Sequence, residues 1–419
     1  MSTIDELTTE HRALRDRGLS LDLTRGKPSP AQLDLAGELL DLPGAGNFTD
    51  AAGTDLRNYG GPDGLPELRA IFGDILGIPV DQLLALDVAS LPIMHDYVSG
   101  ALLHGVPGGE TPWRDVPDVA FLCPVPGYDR HFAICEALGI RMIPVPFVDD
   151  ALDLATITRL VRDDASIRGM WTVPTYSNPT GYVYTEADVR ALVSMETAAP
   201  DFRIIWDNAY VVHHLTDDAA PVIDILGLAA EAGHSDRPIV IASTSKITFA
   251  GGGVAFIGAS PDNIRSIRSR ASVRTIGPDK LNQLRHVLFL KDAEGVRAHM
   301  LRHRALLVPK FDAVLEILDA RLAGAASWIR PKGGYFISLE AGGGCASRAI
   351  ALAKEAGIAV TPAGAPYPYG DDPRDSTIRI APSFPSLDDL RAAIDGLCTC
   401  ILLAQAERAQ VAGDRPATS

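Results

Sequence analysis

Positive charge is scarce in this chain. Its 38 lysines and arginines are outnumbered by 53 aspartates and glutamates, giving a formal net charge of −15 over 419 residues. Such a surface argues against nucleic acid or an anionic membrane as the main partner, although local arginines can still build a positive pocket. Cysteine is scarce too: Cys123, Cys135, Cys345, Cys398 and Cys400 form an odd, irregular set. They make no disulfide framework, which favours a reducing compartment. No apolar run reaches the roughly 18 residues of a spanning helix. The opening stretch "MSTIDELTTEHRALRDRG" carries charges throughout and lacks the apolar centre of a signal peptide. A cytoplasmic protein is therefore expected. Internal repeats and low-complexity tracts are also absent. What is present is ordinary globular composition, 47% hydrophobic and 22% charged, at a length that suggests two domains.

From about residue 85 to 260, β-rich runs alternate with helical patterns. "VAFL" (119–122), "RMIPV" (141–145), "GMWTV" (169–173), "FRIIW" (202–206), "PIVIA" (238–242) and "VAFIG" (254–258) are strand candidates. Residues 130–138, 152–162 and 185–196 carry helical spacing between them. This alternation predicts an α/β fold with a mostly parallel sheet covered on both faces. After about residue 290 the texture changes. A helical stretch (295–322), "WIRPKGGYFISLE", a helix near 346–356, "TIRIAP" (377–382) and a last helix from 386 suggest a smaller α+β domain. The expected division is 1–57 as an N-terminal segment joining the small domain, 58–292 as the large domain and 293–419 as the C-terminal small domain. The end, "AERAQVAGDRPATS", reads as a frayed tail.

Within "ASTSKITFAGGG" (242–253), Lys246 stands alone among Ser243, Thr244 and Ser245, with three glycines after it. A phosphate-binding P-loop would put its glycines before the lysine, so that reading is set aside. A lone lysine after a strand is usually a surface charge. Its company argues otherwise. Asp207, in "WDNAY", falls just beyond a strand expected to be buried, where an unpaired carboxylate is costly. Asn178, in "YSNPTG", precedes Pro179 in a turn. Strand ends are where open α/β sheets bind ligands, and Asn, Asp and Lys in this order suit pyridoxal 5'-phosphate (PLP). Lys246 would form a Schiff base with its aldehyde. Asp207 would pair with the pyridine nitrogen and preserve the electron sink. Asn178 and the phenol of Tyr210 would donate to the ring oxygen, while Ser243 and Ser245 offer hydroxyls to the phosphate. The glycines 251–253 would let the chain turn away from the cofactor.

At this point the chain resembles the fold-type I PLP-dependent enzymes, in particular class I aminotransferases. It is most similar to the actinobacterial-type aspartate aminotransferase branch. The likeness runs through "TRGKPSPAQLDL", "NYGGPDGLPELR", "FLCPVPGYDRHFAICEALGI", "YSNPTG", "WDNAYVVHHL", "TSKITFAGGGVAF", "RTIGPDKLNQLRHVLFL", "KGGYFISLE" and "TPAGAPYPYGDDPRDSTIRIAPSFP". It implies a large domain built on a mostly parallel seven-stranded sheet. It also implies that Arg379 clamps the substrate α-carboxylate, a task suited to planar bidentate geometry. Gly26 would bring its backbone to that carboxylate, and Tyr128 would lie against the cofactor ring. Tyr59 would reach the phosphate of a neighbouring subunit, which implies a homodimer with shared sites. Arg130 either reads a second carboxylate of aspartate or glutamate or is a solvated arginine at a helix start.

Two stretches depart from that branch. Its phosphate turn reads roughly Gly-Asn-Ser-Ser-Leu, whereas "DVASL" (87–91) keeps only Ser90 and Leu91 and puts Asp87 near a dianion. Backbone N–H groups of a following helix could still serve, and Pro92 is tolerated in a first turn. Thr175 replaces a lysine expected before Tyr176. The arginine that wider class I enzymes carry eight residues after the lysine is here Val254, as in the nearer branch. No metal is assigned. The adjacent His213 and His214 point opposite ways, and Cys398 and Cys400 are two apart on a helix.

The expectation is a PLP-dependent aminotransferase with Lys246, Asp207 and Tyr210 as its catalytic residues. It would move the amino group of aspartate or glutamate to a 2-oxo acid such as 2-oxoglutarate. The alternative is a related enzyme of specialised metabolism performing β- or γ-elimination, replacement or carbon–carbon bond formation, with a methionine-like substrate as one candidate. A non-catalytic binding protein on the same scaffold is the third reading, and retention of Lys246 with Asp207 counts against it.

Overall fold

The computed structural model describes residues 3–24 and 26–413. A short strand, β1 (Leu21–Asp22), precedes the main sheet. That sheet uses β2 (Leu83–Asp87), β3 (Ala120–Val125), β4 (Arg141–Val148), β5 (Ala151–Leu152), β6 (Ile167–Thr172), β7 (Arg203–Asp207), β8 (Pro238–Ser243) and β9 (Ala255–Ala259). Its order is β2-β9-β8-β7-β6-β3-β4-β5. The centre, from β8 through β4, is wholly parallel, and β9 runs antiparallel between β2 and β8. Seven strands match the expectation. The eighth, β5, is a two-residue hairpin partner of β4.

The sequence dictates why these strands are central. Along β7, Ile204 and Trp206 enter one core and Ile205 enters the opposite one. Along β8, Val240 and Ala242 face the first while Ile239 and Ile241 face the second. Both faces must be apolar because helices cover both. Helix starts carry their own signals: Thr185 caps the helix Glu186–Ser194, accepting the backbone N–H of Asp188, whose side chain returns the bond.

Beyond the helix Ala293–Leu322 lie β10 (Ser327–Trp328), β11 (Ile337–Glu340), β12 (Ile358–Ala359) and β13 (Thr377–Ile380). β10, β11 and β13 form an antiparallel sheet, and β12 pairs in parallel with β1. Leu307, Phe311, Val314 and Leu318 recur at helical spacing into a core shared with Leu390, Ile394, Leu397 and Ile401 of the helix Leu387–Gly413. Each such side chain contributes about 1.5–3 kcal/mol on burial. Leu7 and Leu23 join this core, so the beginning and end of the chain fold together. Cys398 and Cys400 sit in it as free, buried thiols.

One expectation is corrected. The supposed frayed tail from Ala406 is helical through Gly413, because Glu407 pairs with Arg348 at 2.6 Å and anchors that turn. Residues 414–419 lie outside the described residues. The strand β2, "LLALD", is an addition to the sequence reading, as is β5.

Candidate active site

The site gathers at the carboxyl ends of parallel strands, with Arg379 reaching in from the antiparallel sheet. Ser243 closes β8, and the chain then turns through Thr244–Ile247, with the N–H groups of Ile247 and Thr248 both donating to the Thr244 carbonyl at 2.8 and 2.9 Å. Lys246 lies within that turn. Its own carbonyl accepts from His213 Nε2 at 3.2 Å and from the Tyr335 hydroxyl at 3.4 Å, and the next carbonyl, of Ile247, accepts from His299 Nε2 at 2.8 Å. The lysine is thus held by its backbone, leaving the amine free. Its Nζ stands 4.9 Å from the centre of the Tyr210 ring. Burial lowers the proton affinity of this amine, and the charge of Asp207 only partly offsets that. A desolvated lysine of this kind is a better nucleophile than a surface one.

Asp207 is the last residue of β7 and is almost wholly buried. His131 donates from Nε2 to Oδ2 at 3.0 Å. The imidazole is itself fixed, stacked on Trp171 at 4.4 Å and met edge-on by Tyr128 at 5.0 Å. The other oxygen, Oδ1, is buried with no hydrogen-bond partner among the described residues. Leaving such an acceptor unmet costs about 1–3 kcal/mol, so the site is shaped for a donor at that point. A protonated pyridine nitrogen is such a donor. Tyr210 is buried beside it, and burial raises its phenol well above the ordinary value, so the hydroxyl stays a neutral donor.

Arg379 points inward from the middle of β13. Its Nη1 donates to Asp129 Oδ1 at 2.8 Å and, more weakly, to Asn178 Oδ1 at 3.4 Å. The guanidinium lies 5.0 Å from the Phe336 ring centre. That ring also explains Gly26: a Cβ there would fall 2.4 Å from Phe336 Cζ. Gly26, Phe336 and Arg379 therefore form one packed stack.

At the opposite end, Ser243 donates to Ser245 through their hydroxyls at 3.1 Å. Asp87 and Ser243 both pair with Ala255 across β9, which brings the turn 87–91 to the same sheet end. Ser90 and Leu91 open the helix Ser90–His104, and no side chain caps it. An uncapped helix N-terminus with two hydroxyls nearby is suited to an anion. Asp87 does not oppose this role. Arg274 Nη1 holds its Oδ2 at 2.8 Å, and its Oδ1 accepts from the N–H of Val88. The glycines 251–253 differ from one another. A Cβ at Gly251 would meet open space, whereas one at Gly253 would crowd Val88 O and Thr244 Oγ1 at 3.0 Å.

Two expected site residues stand apart. Tyr59 is 80% exposed on the single chain. Arg130 is exposed in the helix Asp129–Ala137, with no hydrogen bond to another site residue among those described. The sequence reading also missed three participants: His131, Asp129 and Phe336. His131 had a usable signal, since a buried Asp207 demanded a partner and "GYDRH" follows a strand. His213 and His214 do turn to different neighbours, the latter to the Tyr176 hydroxyl at 2.7 Å.

A doubly covered parallel sheet, with a desolvated lysine and a buried acid at its strand ends and an arginine arriving from a second core, defines an enzyme of the aminotransferase class. The chain belongs to the aspartate amino-transferase family, whose model matches residues 1–413. An aspartate aminotransferase of Corynebacterium glutamicum is 52% identical over 405 residues, covering 96% of this chain and 94% of that protein. A protein of Mycolicibacterium smegmatis described as an aminotransferase is 57% identical, covering 96% of this chain and 97% of that one. The crystal structure of an aspartate transaminase from Corynebacterium glutamicum superposes with a TM-score of 0.94 at 51% identity, covering 97% and 96% of the two chains. The same fold, at 21% identity and a TM-score of 0.76, occurs in the α-aminoadipate aminotransferase of Thermus thermophilus, with 94% and 95% covered; that protein was crystallised with a phosphopyridoxyl-leucine adduct.

Proposed function

We propose that this aminotransferase binds PLP and moves the amino group of aspartate or glutamate to a 2-oxo acid such as 2-oxoglutarate. The observation that carries the reading is Asp207 Oδ1, buried with no hydrogen-bond partner among the described residues, in the same site as the buried Lys246 amine. The relative named aspartate aminotransferase supports the acidic substrate. Bound PLP would supply an aldehyde that captures the amino acid and a ring that delocalises the electron pair left at Cα.

The chain's own residues do the rest. Asp207 would keep the ring nitrogen protonated through Oδ1, while His131 holds Oδ2 and so fixes the carboxylate. Asn178 and Tyr210 would donate to the ring oxygen, and Tyr128 would lie against the ring. Ser243, Ser245 and the N–H groups at Ser90 and Leu91 would hold the phosphate. Arg379 holds the α-carboxylate, with the backbone at Gly26 beside it. Lys246 would move the proton at Cα of a bound amino acid, serving as base and then acid. Arg130, exposed near the start of the helix after Tyr128, is the candidate for reading the second carboxylate.

Tyr59, exposed on one chain, belongs in this reading to the phosphate site of a second copy, which makes the working unit a homodimer. The larger body is taken as 58–292, with 1–57 and 293–419 forming the smaller one. Among the described residues no helix is long and apolar enough to cross a membrane, and a cytoplasmic location fits the free cysteines.

The assay is direct. Protein supplied with PLP, L-aspartate and 2-oxoglutarate should form glutamate and oxaloacetate in equal amounts. Inertness toward aspartate and glutamate, with turnover of a methionine-like amino acid to an elimination or replacement product, would move the reading to the other reaction class.

A further inference from the structure

We propose that Asp129 is a built-in competitor for the substrate carboxylate: an anion of the chain itself that occupies Arg379 until an amino acid displaces it. The inference rests on the reading of Arg379 as the α-carboxylate anchor.

The Arg379 side chain is 7% exposed. A guanidinium so far from water is costly without a counter-charge, and an empty substrate pocket offers none. Asp129 supplies one, with Oδ1 2.8 Å from Nη1. Nε of the same guanidinium is buried with no hydrogen-bond partner among the described residues, and Nη1 is the donor that Asp129 holds. A carboxylate that pairs end-on takes both Nη groups, and one of them is already held by Asp129.

The two partners differ in freedom. Arg379 is fixed by the β11–β13 pairing, where it stands opposite Ser338, and by the Phe336 ring. Asp129 is the first residue of its helix, and its side chain is 34% exposed. It can swing to solvent while staying at a helix N-terminus, where a negative charge is favoured. When a substrate binds, the aspartate is therefore the group that leaves. The exchange swaps one carboxylate for another on Arg379 and weakens the binding of every α-carboxylate ligand by a common factor. In return, the empty enzyme never holds a bare buried cation.

Two neutral variants test this, because a merely supporting role has the opposite sign. The PLP-loaded wild type, Asp129→Asn, Asp129→Ala and Arg379→Ala are titrated calorimetrically with succinate, a dicarboxylate that cannot react. Their fold is checked by thermal melting. The expected result is that both Asp129 variants bind succinate about 5- to 20-fold more tightly, the size typical of removing one close charge competitor. Arg379→Ala should bind at least about 100-fold more weakly. If Arg379→Ala loses binding while the Asp129 variants bind no better than wild type, the competitor proposal is overturned and the Arg379 reading stands. If Arg379→Ala binds succinate as wild type does, the Arg379 reading falls and takes the proposal with it. Asparagine keeps the size and helix-start preference of aspartate, so a failed Asp129→Ala fold leaves the test intact.

Discussion

Nε2 of His131 lies 3.0 Å from Oδ2 of Asp207, and both side chains are sealed from solvent. The relationship divides one carboxylate into two jobs. Oδ2 is fixed by the imidazole, and Oδ1 has no hydrogen-bond partner among the described residues. Replacing Asp207 by alanine should lower kcat by about two to four orders of magnitude, the range for losing a proton-holding catalytic group. His131→Asn should cost less, about tenfold, because the acid survives but loses its fixed orientation. Steady-state kinetics on both variants checks the ranking. An equal loss in the two would mean that the imidazole does more than orient.

Acid should loosen the lysine turn. Burial pushes His303 down to about 4 and His213 down to about 3, each from an ordinary value near 6.5. A histidine depressed in the folded state is neutral there while the unfolded chain already binds a proton. Stability is therefore complete above about pH 6.5 and falls as pH drops from there through the folded values. His303 alone accounts for at most about 3 kcal/mol. Melting curves between pH 7 and pH 4.5 should show this slope, and His303→Gln should reduce it by about half, His213 carrying the rest.

The site divides into parts the sequence discloses and parts it hides. Lys246, Asp207 and Asn178 were legible because each ends or follows a β-rich run and has a side chain with one evident task, whereas Arg379, inside the strand Thr377–Ile380, was marked only by the family resemblance. Asp129 was not, because its meaning depends on Arg379, 250 residues away. Arg274 was hidden for the same reason, since it meets Asp87 across 187 residues. The parallel sheet followed from its apolar runs, but the edge strand β2 did not stand out before a turn of unfamiliar sequence. The helical tail depended on a partner, Arg348, that only tertiary packing supplies.

The Arg274–Asp87 pair makes its own prediction. Arg274 stands 2.8 Å from Asp87 and 3.0 Å from Asp96 and offsets the charge of Asp87 at the phosphate end. Removing the arginine should release negative charge at the phosphate end. Arg274→Ala should weaken PLP retention by about tenfold, and Arg274→Ala with Asp87→Asn should recover most of it. Equilibrium dialysis of the three proteins measures this. A double variant no better than the single one would show that Arg274 acts there by packing and not by charge.

The central claim is that Lys246 works on acidic amino acids through a bound PLP, and one half-reaction tests it most directly. Protein loaded with PLP is mixed with excess L-aspartate and no acceptor, and the oxaloacetate formed is counted per active site. The account predicts one equivalent from the wild type, with the visible absorption of the loaded protein lost in step, and none on the same timescale from Lys246→Ala. Absence of oxaloacetate from the loaded wild type, or an undiminished equivalent from Lys246→Ala, would contradict it.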